Sequence, residues 1–185
     1  MAAELIRWLH LSDFHVGKEG LNYAQLSMFE YILGEVEKRV NGGENLDLIF
    51  ITGDLANNGH KQQYEDFCDN FYFPLLEKLG KNWQGKIFTV PGNHDVNWEE
   101  AKAVKKHGVL NDLPNFLNPD SDGLKLRQPL FPRFLAYIDH DFGSQQARWI
   151  ESKAGTYTEV FELRGVSIGI VGLNTGWLSE NNEKK

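Results

Sequence analysis

Residues 46–54 read LDLIFITGD. The run Leu46–Ile51 is rich in Ile and Leu and does not alternate, which is the pattern of a parallel strand covered on both faces. It ends in the polar cluster Thr52-Gly53-Asp54. Two more apolar runs end the same way: Ile6–Leu11 leads into LSDFH at 11–15, and Lys86–Val90 into PGNHD at 91–95. Successive clusters stand about forty residues apart, the length of a strand-helix-strand unit.

Between these runs the period becomes helical. In residues 22–40, Leu26, Phe29, Ile32, Leu33, Val36 and Val40 recur at helix spacing, and Asn41-Gly42-Gly43 ends the pattern. Residues 61–80 predict a second helix with Tyr64, Phe67, Phe71, Leu75, Leu76 and Leu79 on its inner face. Pro74 predicts a kink or break in it, and Gly80 closes it. The order β-α-β-α-β calls for right-handed crossovers and a parallel sheet. Ligands of such sheets bind beyond the carboxyl ends of the strands. That location gathers Asp13, His15, Asp54, Asn93, His94 and Asp95 at one edge, a set that suits a metal site.

After residue 95 the rhythm changes. Trp98–His107 reads as a short charged helix, 108–130 as an irregular insertion, and Phe131–Phe142 as another helix. TYTEVFEL and VSIGIVGLN flank Arg164-Gly165 and predict a hairpin in a second, partly antiparallel sheet packed on the first. The expected organisation is a single domain over 1–185, with 96–155 an irregular and helical insertion and SENNEKK an exposed tail.

The chain has 185 residues, 41% apolar and 24% charged, which suits one domain with a sizeable core. Cys68 is the single cysteine, so there is no internal disulfide and no cysteine-based zinc site. The net charge of −7 argues against a broad nucleic-acid surface without excluding a local one. No signal peptide or membrane span is readable, and a cytoplasmic protein with no membrane partner is expected.

Carboxylate, imidazole and amide donors together suit Mn²⁺, Fe or Zn²⁺. Asp13 and His15 are two apart, so in extended chain they point the same way. Asp54 has two oxygens and can bridge two ions, and a pair of ions ~3.5–4 Å apart can clamp a phosphate. Taken singly, each residue has a plainer reading: Asp13 or Asp54 as a helix cap, Gly53 or Gly92 as a turn residue, His15 or His94 as a packed or surface ring. Asn57 and Asn58 are expected to cap the second helix, or else to line the site as substrate contacts. His10 is expected to pack within its strand, and His60, His107 and His140 to be solvated. Trp98 and Trp177 fit packing, or flank a substrate. Lys102, Lys105 and Lys106 fit a solvated helix face.

LSDFHVG, TGDLANNG and VPGNHD resemble the D-x-H, G-D and G-N-H-D/E motifs of the calcineurin-like metallophosphoesterases, in that family's order, over residues 6–95. GLNTGW at 172–177 resembles the start of the family's second sheet. The resemblance implies an α/β/β/α sandwich that hydrolyses phosphomonoesters or phosphodiesters with a hydroxide held between two divalent ions. Manganese is the first choice of metal, with iron or zinc as alternatives. It implies Asp13 and His15 on the first ion, Asp54 as the bridge and Asn93 on the second. His94 would stabilise the transferring phosphoryl group or protonate the leaving oxygen, and Asp95 would orient His94.

The family's later G-H-x-H motif does not occur in this chain. The expectation that follows is the N-terminal part of a longer protein, an incomplete sandwich that retains one ion or none. The alternative function is a catalytically incomplete scaffold or effector module of a larger, NTPase-linked protein. Its partners would be further C-terminal domains, or a second copy joined through exposed strand edges.

Overall fold

Three strands make a parallel sheet in the order β1 (Trp8–Leu11), β2 (Leu48–Thr52), β3 (Lys86–Val90). The register pairs Trp8 with Leu48 and Leu48 with Lys86, so the three polar clusters leave the sheet side by side. This is a computed structural model, and it describes residues 5–17, 19–44, 46–102, 111–118, 121–140 and 156–179. β1 begins at Trp8 rather than Ile6. The amide of Arg7 is taken by the Asp47 carboxylate at 2.8 Å, ahead of the first ladder pair.

The connection from β1 to β2 is α1 (Tyr23–Asn41), started by a capping box in which Asn22 and Gln25 exchange hydrogen bonds. Phe29 and Val36 are its fully buried residues, and Leu26 of the expected inner face stays exposed. The connection from β2 to β3 runs α2 (Lys61–Phe67), a π-helical segment (Cys68–Tyr72) and α3 (Phe73–Leu79). The expected break at Pro74 therefore takes the form of a π turn. The Phe73 amide reaches back to the Cys68 carbonyl, and Pro74 sits in the first turn of α3, directly after the widened turn.

The two faces of the sheet are covered differently. Ile49, Ile51 and Ile87 share a core with Phe29, Phe67, Phe71 and Leu75 of the helices. Phe14, just past β1, joins that core with its ring centroid 4.9–5.6 Å from those of Phe67, Phe71 and Phe29. Residues one step along the strands point the other way. There Phe50 stacks on Phe88 at 5.7 Å, and Phe88 on Phe161 at 5.9 Å.

Phe161 belongs to the expected hairpin, β4 (Thr156–Leu163) and β5 (Val166–Leu173), paired antiparallel. Arg164 and Gly165 turn it with φ of 51° and 73°, the two positive values of a type I′ turn. Three polar contacts dock the hairpin on the sheet: Tyr157 Oη–H to the Thr89 carbonyl at 3.1 Å, Lys86 with Glu159 at 2.9 Å, and Arg164 with Asp47 at 2.7 Å. The observed α/β architecture, a parallel sheet with helices and a separate hairpin, agrees with the expected class.

The stretch after α4 (Trp98–Lys102) corrects one expectation. Residues 108–130 are not irregular throughout. α5 (Leu113–Leu117) and α6 (Ser121–Arg127) lead into a 3₁₀ segment (Gln128–Phe134) and α7 (Leu135–Asp139). The order comes from burial that the polar composition concealed. Phe116, Phe131 and Phe134 surround Trp177 with centroids 5.3–6.3 Å away, and the buried Arg127 donates to the Phe116 and Asn118 carbonyls. The helix expected over Phe131–Phe142 is 3₁₀ up to Phe134, where Pro129 and Pro132 remove amide donors.

Residues 103–110, with Lys105, Lys106 and His107, and the tail from 180 lie outside the described residues. Among those described, no helix is long and apolar enough to cross a membrane.

Candidate metal centre

The loops after β1 and β2 are held together by backbone. Asp13 N–H donates to the Gly53 carbonyl at 3.2 Å, His15 N–H to Asp54 at 2.9 Å, and Val16 N–H to Leu55 at 2.9 Å. To make these bonds the chain turns left-handed at Asp13 (φ 61°), His15 (φ 47°) and Asp54 (φ 54°). Asp13 and His15 are therefore not in extended chain, as their spacing suggests, although they do converge: His15 Nε2 lies 3.7 Å from Asp13 Oδ1.

The third loop crosses the second through two glycines. A Cβ on Gly53 would stand 2.5 Å from the Gly92 nitrogen, and one on Gly92 would stand 2.2 Å from Asp54 Oδ1. Gly53 and Gly92 are thus required by close approach and not by turning alone.

This crossing sets the Asp54 carboxylate. Its Oδ1 accepts the His94 amide at 2.8 Å, while Oδ2 lies 4.0 Å from His15 Nε2. The rings of His15 and His94 meet edge to face at 4.6 Å. His94 Nδ1 lies 2.8 Å from the Asn57 carbonyl. A carbonyl only accepts, so Nδ1 carries the hydrogen and Nε2 presents a lone pair. One ligand atom from each of His15, Asp54 and His94 falls within 4.8 Å of the others, and all three residues are partly buried. Two imidazole nitrogens and a carboxylate, gathered this closely at a strand edge, fit one divalent transition-metal ion.

The resemblance distributes these residues differently. It gives Asp13 to the metal set and His94 to acid chemistry, whereas the tight group contains His94 and leaves Asp13 beside it. Asp13 is exposed and takes a hydrogen bond from Ser12 Oγ. Asn93 is exposed in the third loop, between the two amides at Gly92 and His94 that bind Asp95 and Asp54.

Asp95 does not hold His94. Its buried carboxylate accepts from the amides of Gly92 (2.9 Å), Ala56 (3.0 Å) and Leu55 (3.4 Å), and from Tyr64 Oη–H (3.0 Å). Burial raises its pKa to about 6 against the opposing pull of the Gly92, Ala56 and Tyr64 hydrogen bonds. Burial beside Asp95 pushes the Tyr64 hydroxyl well above its ordinary value. Asp95 is the brace that ties the second and third loops to α2, and His94 takes its orientation from the Asn57 carbonyl.

Asn57 therefore meets the site through its backbone. Neither it nor Asn58 caps α2. His60 occupies the N-cap position, and Gln63 Oε1 reaches back to the amides of His60 and Asn58. His10 is exposed rather than packed, bonded to Thr52 Oγ1 at 2.7 Å. His140 is partly buried, with its ring 5.2 Å from Tyr64. Trp98 both packs on the core and stands 5.6 Å from the His94 ring, and Trp177 is core.

Two residues that support the site, Tyr64 and Gln25, are not evident as site residues in the sequence. Tyr64 reads only as an apolar helix position. Gln25 carries a legible signal, the N-x-x-Q capping box at 22–25, which says nothing of the loop it also holds.

The profile of the calcineurin-like phosphoesterases matches residues 6–172. A probable cyclic nucleotide phosphodiesterase of Coxiella burnetii is 43% identical over 49 residues, 26% of this chain. The matched stretch spans 16% of that relative's length.

Proposed function

We propose, for a chain that belongs to the calcineurin-like phosphoesterase family, that the cluster of His15, Asp54 and His94 serves metal-dependent hydrolysis of a phosphate ester. The observation that carries the reading is the convergence of three ligand atoms within 4.8 Å from three separate strand ends. A bound divalent ion, with manganese the first to test and iron or zinc next, supplies positive charge for phosphate oxygens and for activating water.

The chain's own residues do the rest. Asp54, fixed by the His94 amide, and His15, fixed by the Asp54 carbonyl, hold the ion. Asp13 and Asn93 would add further oxygen donors were a second ion bound, with Asp54 available to both. His94, with Nδ1 committed to Asn57, would offer its Nε2 lone pair to the ion as the third ligand. Asp95 keeps the loops in register from below. The name of the Coxiella relative makes a nucleotide phosphodiester the first substrate to test.

Purified protein with Mn²⁺ is expected to hydrolyse bis-p-nitrophenyl phosphate or p-nitrophenyl phosphate, and Asp54→Ala to lower the turnover about a hundredfold or more. No turnover with any divalent ion, together with no metal binding by calorimetry, overturns the proposal. Metal binding without turnover instead supports a binding module.

A further inference from the structure

His15 must hold a left-handed backbone to reach the cluster, and left-handed conformation is disfavoured for any residue with a Cβ. Two peptide planes flank its Cα, and each is gripped at both ends. On the N–H side, His15 donates to Asp54 and Val16 donates to Leu55, both at 2.9 Å. On the carbonyl side, one side chain takes both oxygens: Gln25 Nε2 donates to Phe14 at 3.0 Å and to His15 at 2.9 Å. The carbonyls of Phe14 and His15 report φ and ψ of His15, so a single amide group fixes both angles. The same Gln25 accepts the Asn22 amide through Oε1 and donates its own amide to Asn22 Oδ1. Its side chain thus spends both hydrogens on the loop and its oxygen on the start of α1.

We infer that Gln25 is a positioning residue for His15, coupling the first turn of α1 to the geometry of the metal cluster. This rests on the metal-site reading above. An amide is required because the group must give two hydrogens to carbonyls and accept one from an amide. A carboxylate cannot give the two, and an apolar side chain gives none. Asn22 separates this role from ordinary helix capping. Asn22→Ala removes the cap oxygen and leaves both bonds from Gln25 Nε2 available.

The test compares Mn²⁺ affinity by calorimetry in the wild type, Gln25→Leu, Gln25→Glu and Asn22→Ala. Ring ¹⁵N correlation spectra of the metal-free proteins, assigned with His15→Gln, provide a readout independent of metal. Both Gln25 variants are expected to bind Mn²⁺ about tenfold or more weakly and to shift the His15 ring signals. Asn22→Ala is expected to lower the thermal midpoint while leaving affinity and ring signals unchanged. Wild-type affinity in the Gln25 variants, or equal weakening by Asn22→Ala, overturns the inference. Should the wild type bind neither Mn²⁺, Fe²⁺ nor Zn²⁺, the metal-site reading fails and the ring signals decide this point alone: an unshifted His15 ring in Gln25→Leu overturns it.

Discussion

At the ends of β1 and β2 the backbone turns left-handed against other backbone; at the β4–β5 turn it turns left-handed into open space. Gly165 has φ of 73°, and a Cβ there would meet nothing within 4 Å. Gly53 has φ of 89°, and a Cβ there would collide with Gly92. The dihedrals are alike and the consequences are not. At the hairpin, the positive angles serve only to reverse the chain with the twist its strands need. At the strand ends they are imposed by bonds to a neighbouring loop, and they deliver Asp13, His15 and Asp54 to one place. Positive φ marks a functional site here only where it is also tightly packed.

Substituting the glycines tests this contrast most severely. Gly53→Ala drives a methyl group into the Gly92 backbone, and is expected to cost more than about 3 kcal/mol in urea unfolding and to abolish metal binding. Gly165→Ala is expected to cost about 1 kcal/mol from its backbone angle alone. Equal costs would break the comparison. Next in size, Asp54→Ala is expected to lower turnover about a hundredfold or more with the fold kept by circular dichroism, since it removes the charge on which the loops converge. Tyr64→Phe takes one donor from Asp95 and leaves its amide partners in place. A loss of about 1–2 kcal/mol in thermal or chemical unfolding is expected. The smallest effect belongs to the hairpin: Arg164→Ala is expected to cost about 1 kcal/mol, shrinking as salt is added, because the guanidinium is partly exposed and the buried Asp47 carboxylate keeps the Arg7 amide as a partner.

What could be read in the sequence was what short-range pattern encodes. The strands show as apolar runs, α1 and α2–α3 as helical periods, and the hairpin as two β-rich runs around Arg164-Gly165. The site residues show as polar clusters at strand ends. The misreadings share a cause in contacts between distant segments. Asp13 and His15 depart from extended chain because their loop bonds to residues 53–55. Asp95 braces the loops because the amides of Leu55 and Ala56 surround it, leaving His94 to the Asn57 carbonyl. Residues 113–117 and 121–139 order themselves around Trp177, more than forty residues downstream of Arg133, whose guanidinium donates to the Trp177 carbonyl. Polar composition could not announce a core supplied from so far along the chain.

The dispersal of the cluster also bears on how the chain folds. His15, Asp54 and His94 come from three segments about forty residues apart, so none of the site exists until both crossovers have closed. The unfolded chain has nothing equivalent to offer an ion, and binding would add its free energy to the folded state, about 2.7 kcal/mol at a metal concentration a hundredfold above Kd. Where the cluster closes after the rate-limiting step, that gain would appear as slower unfolding rather than faster folding.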